Sequence, residues 1–220
     1  MPLLENKIIA IENVWLSYTD KNILEDINLD IYQGDFLLIT GPNGGGKTSL
    51  LRTILGLQSP TKGRISFFRQ GEPVSSLDMG YLPQKNSIDS RFPITVEEVV
   101  ASGLMGNTHK GNTKFNSKKE IDEMLDLMGI TALRNKPIGV LSGGQLQRSL
   151  FGRALISKPE MLILDEPASY IDRQFGNRMF EILRDLSSNG TTIMMVSHEI
   201  EPFITLSNRN LYINHILGDR

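Results

Sequence analysis

The chain has 220 residues, and at about 150 residues per domain that allows one domain or two small ones. Its 23 Lys and Arg against 25 Asp and Glu leave a net charge of −2, which offers no basic face of the kind duplex nucleic acid selects. Apolar residues at 40% and charged residues at 22% predict a folded core, and the absence of cysteine excludes disulfides, thiolate metal sites and a thiol nucleophile. The longest aliphatic stretches, Phe36 to Ile39 and Met161 to Leu164, fall far short of the roughly 20 apolar residues of a membrane span. The start, Met-Pro-Leu-Leu-Glu-Asn-Lys, has no basic flank followed by an apolar run, so no secretory signal is expected. The expectation is a soluble cytoplasmic α/β domain.

Lys7 to Val14 alternates loosely and predicts a strand, and Ile27, Leu29 and Ile31 alternate with Asn28 and Asp30 in a clearer one. After a turn at Gly34-Asp35, Phe36 to Thr40 reads as a buried parallel strand. A Gly-rich loop leads into a helix from Thr48 to Leu55, stopped by Gly56. Arg64 to Phe68 and Met79 to Leu82 are short strand candidates.

From about Asn86 to Ile156 the signals turn helical. Thr95 is placed to cap a helix carrying Val96, Val99 and Val100. Ser117 with Glu120 fits a capping box ahead of Ile121, Met124, Leu125 and Met128, and Ser142 with Gln145 fits another ahead of Leu146, Leu150, Phe151, Ala154 and Leu155. Gly106 to Asn116 between them is polar and predicts an exposed loop. Strands return at Met161 to Leu164 and Thr191 to Val196, around an amphipathic helix marked by Phe175, Met179, Ile182, Leu183 and Leu186. This order predicts a parallel α/β core with an inserted helical subdomain.

Gly41-Pro42-Asn43-Gly44-Gly45-Gly46-Lys47-Thr48 matches G-x-x-x-x-G-K-[ST] after a buried strand and before a helix, the setting a phosphate-binding loop requires. Glycines let backbone N–H groups close around phosphate oxygens, and the next helix adds its positive end. Lys47 is expected to neutralise the β/γ-phosphates and the Thr48 hydroxyl to ligate Mg²⁺. Asp165 and Glu166 leave the exit of a buried strand, where ligands of doubly wound sheets bind. Asp165 is placed to hold Mg²⁺, directly or through water, and Glu166 to accept a proton from an attacking water. His198 ends another strand of the same core and is expected to sense the γ-phosphate. Leu141-Ser142-Gly143-Gly144-Gln145 opens a helix, so its Ser hydroxyl and N–H groups form a second anion cradle.

Two cradles on one chain point to a family. The chain resembles the ATP-binding-cassette ATPases along nearly its whole length, through the Walker A loop at 41–48, Tyr81-Leu82-Pro83-Gln84 as the glutamine loop, the signature at 141–145, the Walker B strand ending at Asp165-Glu166, and the switch histidine His198. The resemblance implies a P-loop NTPase (RecA-like) parallel-sheet core with an N-terminal antiparallel β subdomain and an inserted helical subdomain. It divides the single domain 1–220 into a nucleotide-binding core of 1–85 and 157–220 and a helical signature subdomain of 86–156. It further implies two chains head to tail around two ATP molecules. Tyr18, Gly41, Pro42, Asn43, Gly44, Gly45, Gly46, Lys47, Thr48, Ser49 and Gln84 would surround one ATP. Ser142, Gly143, Gly144 and Gln145 would serve the ATP of the other chain, Asp172 would touch that chain, and Thr48, Gln84 and Asp165 would hold Mg²⁺. Glu166, His198 and Lys47 would carry catalysis. Tyr18 matches the aromatic that stacks on adenine, and stacking of that kind is worth about 1–3 kcal/mol. Tyr170 departs from the usual Ser-Ala-Leu-Asp-like segment, here Ala168-Ser169-Tyr170-Ile171-Asp172. After His198 the tail is short, and no regulatory domain is expected.

Such cassettes usually drive a membrane permease, which places this one in the cytoplasm against the inner face of the cell membrane. Phe92-Pro93-Ile94-Thr95-Val96 through Val99-Val100 to Gly103 is similar to a stretch of the zinc/manganese importer cassettes. The expected function is ATP-driven import of a metal ion or metal chelate. Haem, siderophore or lipid transport, or a nucleic-acid machine, is the alternative, although the coiled-coil or zinc insertions of the last are missing. A small-molecule P-loop kinase leaves 141–145 unexplained. His109, His198 and His215 are too few and scattered to bind a transition metal themselves. Lys110, Lys114, Lys118 and Lys119 fit a solvated face better than a lipid contact.

Overall fold

A computed structural model describes residues 6–19, 21–84, 93–105, 117–198, 201 and 203–219. In chain order its strands are β1 (Lys7–Tyr18), β2 (Lys21–Tyr32), β3 (Phe36–Thr40), β4 (Lys62–Arg69), β5 (Glu72–Val74), β6 (Met79–Leu82), β7 (Met161–Asp165), β8 (Thr192–Val196), β9 (Arg209–Asn214) and β10 (Ile216–Asp219). The α-helices are α1 (Lys47–Ile54), α2 (Val96–Ser102), α3 (Ser117–Leu127), α4 (Gly143–Leu155) and α5 (Arg173–Ser188). The chain divides into two compact units, Met1–Leu77 with Phe180–Arg220, and Asp78–Met179.

In the first unit β2, β1, β4 and β5 form an antiparallel sheet in that order. Alternation fixes its register, with Ile11 opposite Leu29 and Val14 opposite Ile27. The register slips between those rungs, where Asn13 takes φ +48 and its N–H donates to Asn28 Oδ1 at 2.9 Å. This bulge re-aims the strand, which continues to Tyr18 and not only to Val14 as its weaker pattern predicts. Beside it β3 lies between two parallel partners, β8 (Leu38 opposite Met195) and β9 (Leu38 opposite Asn210). Every residue of β3 and β8 is buried, which is why both read as unbroken apolar runs. The hairpin of β9 and β10 is an addition to the predicted elements.

The entry to β3 is held by charge. Arg209 Nη1 lies 2.8 Å from Asp35 Oδ2 and donates to Asp30 O at 2.7 Å. Asn208 Oδ1 accepts the Phe36 N–H at 2.9 Å. Asp35 is only 8% exposed, so Arg209→Met would leave a carboxylate poorly solvated. The expected cost is about 2 kcal/mol, read from the midpoint of urea unfolding.

In the second unit β6 and β7 pair in parallel, Tyr81 opposite Ile163 and Leu82 opposite Leu164. The helices pack by the predicted faces: Val96, Val99 and Val100 of α2, Ile121 and Leu125 of α3, and Leu150, Phe151 and Ala154 of α4 are all buried. Thr95 and Glu98 form a full capping box on α2. The box expected on Ser117, the loop 106–116 with His109, Lys110 and Lys114, and the segment 86–92 lie outside the described residues. Arg134 pairs with Asp122 of α3 and, at 3.6 Å, with Glu97 of α2.

Candidate functional site

The first unit supplies the phosphate loop. It leaves β3 at Thr40 and closes into α1, whose N-cap residue Gly46, just before the helix, has φ +98 and provides no side-chain cap. A β-carbon on Gly41, at φ +143, would sit 2.0 Å from Ile213 O, and one on Gly46 would sit 2.7 Å from Ile23 O. The loop is therefore closed to side chains on two sides, by β9 and by β2. Lys47 is buried, and its Nζ donates to Gly41 O and Pro42 O, each at 2.9 Å. The ammonium is thus held over the concave side of the loop. Pro42, Asn43 and Gly44 are exposed at its rim, while Thr48 and Ser49 begin α1 half-buried. This backbone-lined hollow beside a lysine and a helix N-terminus fits a polyphosphate chain.

Because β3 and β8 run parallel, the segment after β8 emerges at the same sheet edge as the loop. The Ser197 N–H donates to Ile39 O at 3.2 Å, and His198 follows with its side chain exposed. Tyr18 is 53% exposed and sits opposite Lys21 at the end of the β1–β2 hairpin, and Lys21 precedes by two residues the Ile23 whose carbonyl faces Gly46. An exposed aromatic at that position fits a base stacked beyond the phosphates.

The second unit supplies the acidic strand end. Asp165 closes β7 and is 1% exposed, and Glu166 follows at 8% with φ +53. A left-handed conformation costs a residue with a β-carbon about 1–2 kcal/mol, and strain of this kind collects at functional positions. Gln84, two residues beyond the parallel strand β6, leaves from the same edge as Asp165 and is exposed. The hydroxyl of Thr48 and the oxygens of Asp165 and Gln84 are hard donors suited to Mg²⁺. Among the described residues no group of three or more His, Cys, Asp or Glu is assembled to hold an ion.

The signature lies in the same unit. Ser142 caps α4: its Oγ accepts the Gln145 N–H at 3.3 Å, and Gln145 Oε1 accepts the Ser142 N–H at 3.0 Å. Ser142 and Gly143 are exposed. A β-carbon on Gly144 would come within 2.8 Å of Tyr170 O, and one on Gly143 within 3.4 Å of Tyr170 Cβ. Tyr170, at φ +67 and 79% exposed, therefore walls the signature glycines. Arg148 pairs with Asp172 and lies 4.4 Å over the Phe175 ring, and Asp172 Oδ1 accepts the Phe175 N–H at 3.0 Å. That N–H bond, with the Arg148 guanidinium, holds the Asp172 carboxyl below its usual range. A cavity of about 500 Å³ opens here, lined by Ser142, Gly143, Gly144, Gln145, Arg148 and Tyr170 among others.

Sequence reasoning missed the floor of the phosphate loop. Ile213 and His215 of the β9–β10 hairpin carry it, and the signal was there in the alternation of buried Leu211 and Ile213 with exposed Tyr212 and Asn214.

Residues 24–169 match the family model described as ABC transporter. The chain is 38% identical over 218 residues to the zinc uptake system ATP-binding protein ZurA of Listeria innocua, covering 97% of this chain and 82% of that protein. It is 33% identical over 211 residues to the zinc import ATP-binding protein ZnuC of Haemophilus influenzae, covering 96% of this chain and 73% of that one. Among solved structures it is similar to MJ0796, a dimeric bacterial ABC transporter cassette, with a TM-score of 0.83 at 25% identity over 96% of this chain and 98% of that one. The fold and the phosphate loop define a P-loop NTPase. The chain belongs to the ABC transporter family and is one of its ATP-hydrolysing cassettes.

Proposed function

We propose that the chain energises metal import through a membrane permease, and that two copies clasp two ATP molecules head to tail. The observation that carries this is the pair of anion cradles, the loop Gly41–Thr48 and the capped start of α4 at Ser142. A single nucleotide needs one cradle; the second has a use when it serves the nucleotide of another copy. The zinc proteins ZurA and ZnuC, related along nearly the whole chain, support zinc or a chemically similar metal as cargo. Among the described residues no helix is long and apolar enough to cross a membrane. In this reading the permease is a separate subunit and the cassette docks on it at the cytoplasmic face of the membrane. Residues 1–85 and 157–220 serve as the nucleotide-binding core and 86–156 as the helical signature subdomain, with the segment around Gln84 meeting the permease.

The residues divide the work by chemistry. Tyr18 stacks on adenine. The loop N–H groups from Gly41 to Ser49 and the Lys47 ammonium bind the phosphates. Thr48, Gln84 and Asp165 would hold Mg²⁺, which would supply positive charge to the phosphates. Glu166 orients the attacking water and takes its proton, and His198 donates to the γ-phosphate. Ser142, Gly143, Gly144 and Gln145 of the opposing copy close the pocket, with Asp172 in the contact. Moving a permease from 1:99 to 99:1 between two states takes about 5.5 kcal/mol of differential affinity. Closure of the dimer provides it and hydrolysis resets it.

The test is co-purification with a candidate membrane permease, reconstitution into vesicles, and ATPase and uptake assays with zinc and manganese. ATP-dependent zinc or manganese uptake is the expected result. Lys47→Ala should abolish uptake and weaken ATP binding by at least about 100-fold, because it removes the one ammonium over the loop.

A further inference from the structure

The turn between β9 and β10 holds a residue that none of these roles uses. His215 sits there at φ +65, a conformation most side chains avoid and Asn, Asp and His tolerate best. Its N–H donates to Gly45 O at 2.9 Å, and its own carbonyl accepts the Glu25 N–H at 2.8 Å. Its ring Nδ1 lies 3.2 Å from Ile23 O. A carbonyl oxygen only accepts, so Nδ1 carries the proton. Ile23 O is also the atom against which Gly46 packs. One residue thus ties the phosphate loop, β2 and the β9–β10 hairpin together.

The consequence follows from the planarity of the peptide. The carbonyl of Gly45 and the N–H of Gly46 belong to one peptide unit and point in opposite directions when it is trans, as every described peptide is. Anchoring the Gly45 carbonyl on the hairpin turns the Gly46 N–H away from it, at the positive end of α1. We infer that His215 is a positioning residue for nucleotide binding, and that its imidazole, bonded to Ile23 O, holds the turn whose backbone aims the Gly46 N–H at a phosphate oxygen. This rests on the ATP-binding role of the loop proposed above.

The test titrates the full-length chain with MgATP, by calorimetry, in the parent and in three variants, with the thermal midpoint of each nucleotide-free protein measured alongside. His215→Gly keeps the left-handed turn and removes the ring; His215→Ala removes the ring and strains the turn; His215→Asn tolerates the turn and restores a side-chain donor. Gly and Ala should each raise the dissociation constant about tenfold, and Asn should stay within about twofold of the parent. The Gly variant should show this loss with its nucleotide-free midpoint near that of the parent, which a purely structural role would not produce. A Gly variant that binds MgATP as the parent does, or an Asn variant as weak as Ala, overturns the role of the imidazole while the ATP site stands. Should the Gly variant fold poorly, the Ala–Asn contrast decides by the same criterion. A parent chain that does not bind MgATP overturns the nucleotide reading itself.

Discussion

Glu166→Gln should bind ATP with the affinity of the parent and hydrolyse it about 10³-fold more slowly, the range lost when a positioned general base is removed. Gln matches Glu in shape and tolerates burial, so the left-handed backbone at φ +53 and the packing after β7 are expected to persist. What disappears is the basic oxygen. A pocket that closes but does not turn over accumulates in its closed form, so this variant should elute as a dimer in MgATP and as a monomer without it. Gel filtration with light scattering, paired with a phosphate-release assay, reads both effects. Monomeric elution with unimpaired turnover would remove Glu166 from the chemistry.

The second large effect is expected from Ser142→Arg. If the signature serves the nucleotide of a second copy, binding of ATP to an isolated chain should be unchanged by this substitution. Turnover should fall at least about 100-fold, the cost of losing an oriented hydroxyl donor where charge develops. The arginine also removes the capping bond to Gln145 N–H, which costs about 1 kcal/mol of helix stability. Ser142→Ala also loses the cap and the hydroxyl but places no bulky cation there, so the difference between the two variants is the effect of the arginine's size and charge. Loss of ATP binding in the monomeric Arg variant would show that the signature does not act on another copy's nucleotide.

Much of this arrangement was legible from residues alone. The strands at Phe36–Thr40 and Met161–Asp165 fall where their apolar runs place them, because a strand covered on both faces leaves little room for polar interruptions. The capping box at Ser142 forms as its spacing predicts, and the predicted cap at Thr95 is completed into a box by Glu98, since both bonds close within four residues. Long-range and backbone features were not legible. The bulge at Asn13 depends on Asn28 and Asp26 across the hairpin. β9 and β10 are short, and the pairing of β9 to β3 joins residues far apart in the chain. Nothing in the residue types announces that Glu166 and Tyr170 take positive φ. Tyr170 shows the limit most clearly. It stands out in the sequence as a departure, but only the packing of its backbone against Gly144 gives it a place beside the signature.

The floor of the phosphate loop carries a consequence for biosynthesis. Gly41 to Thr48 leave the ribosome early, but the Ile213 carbonyl and the His215 N–H that brace them are translated far later. A nascent chain arrested before Leu211 would hold the complete loop motif and still lack its support, so nucleotide capture during synthesis must wait for the hairpin to emerge and dock.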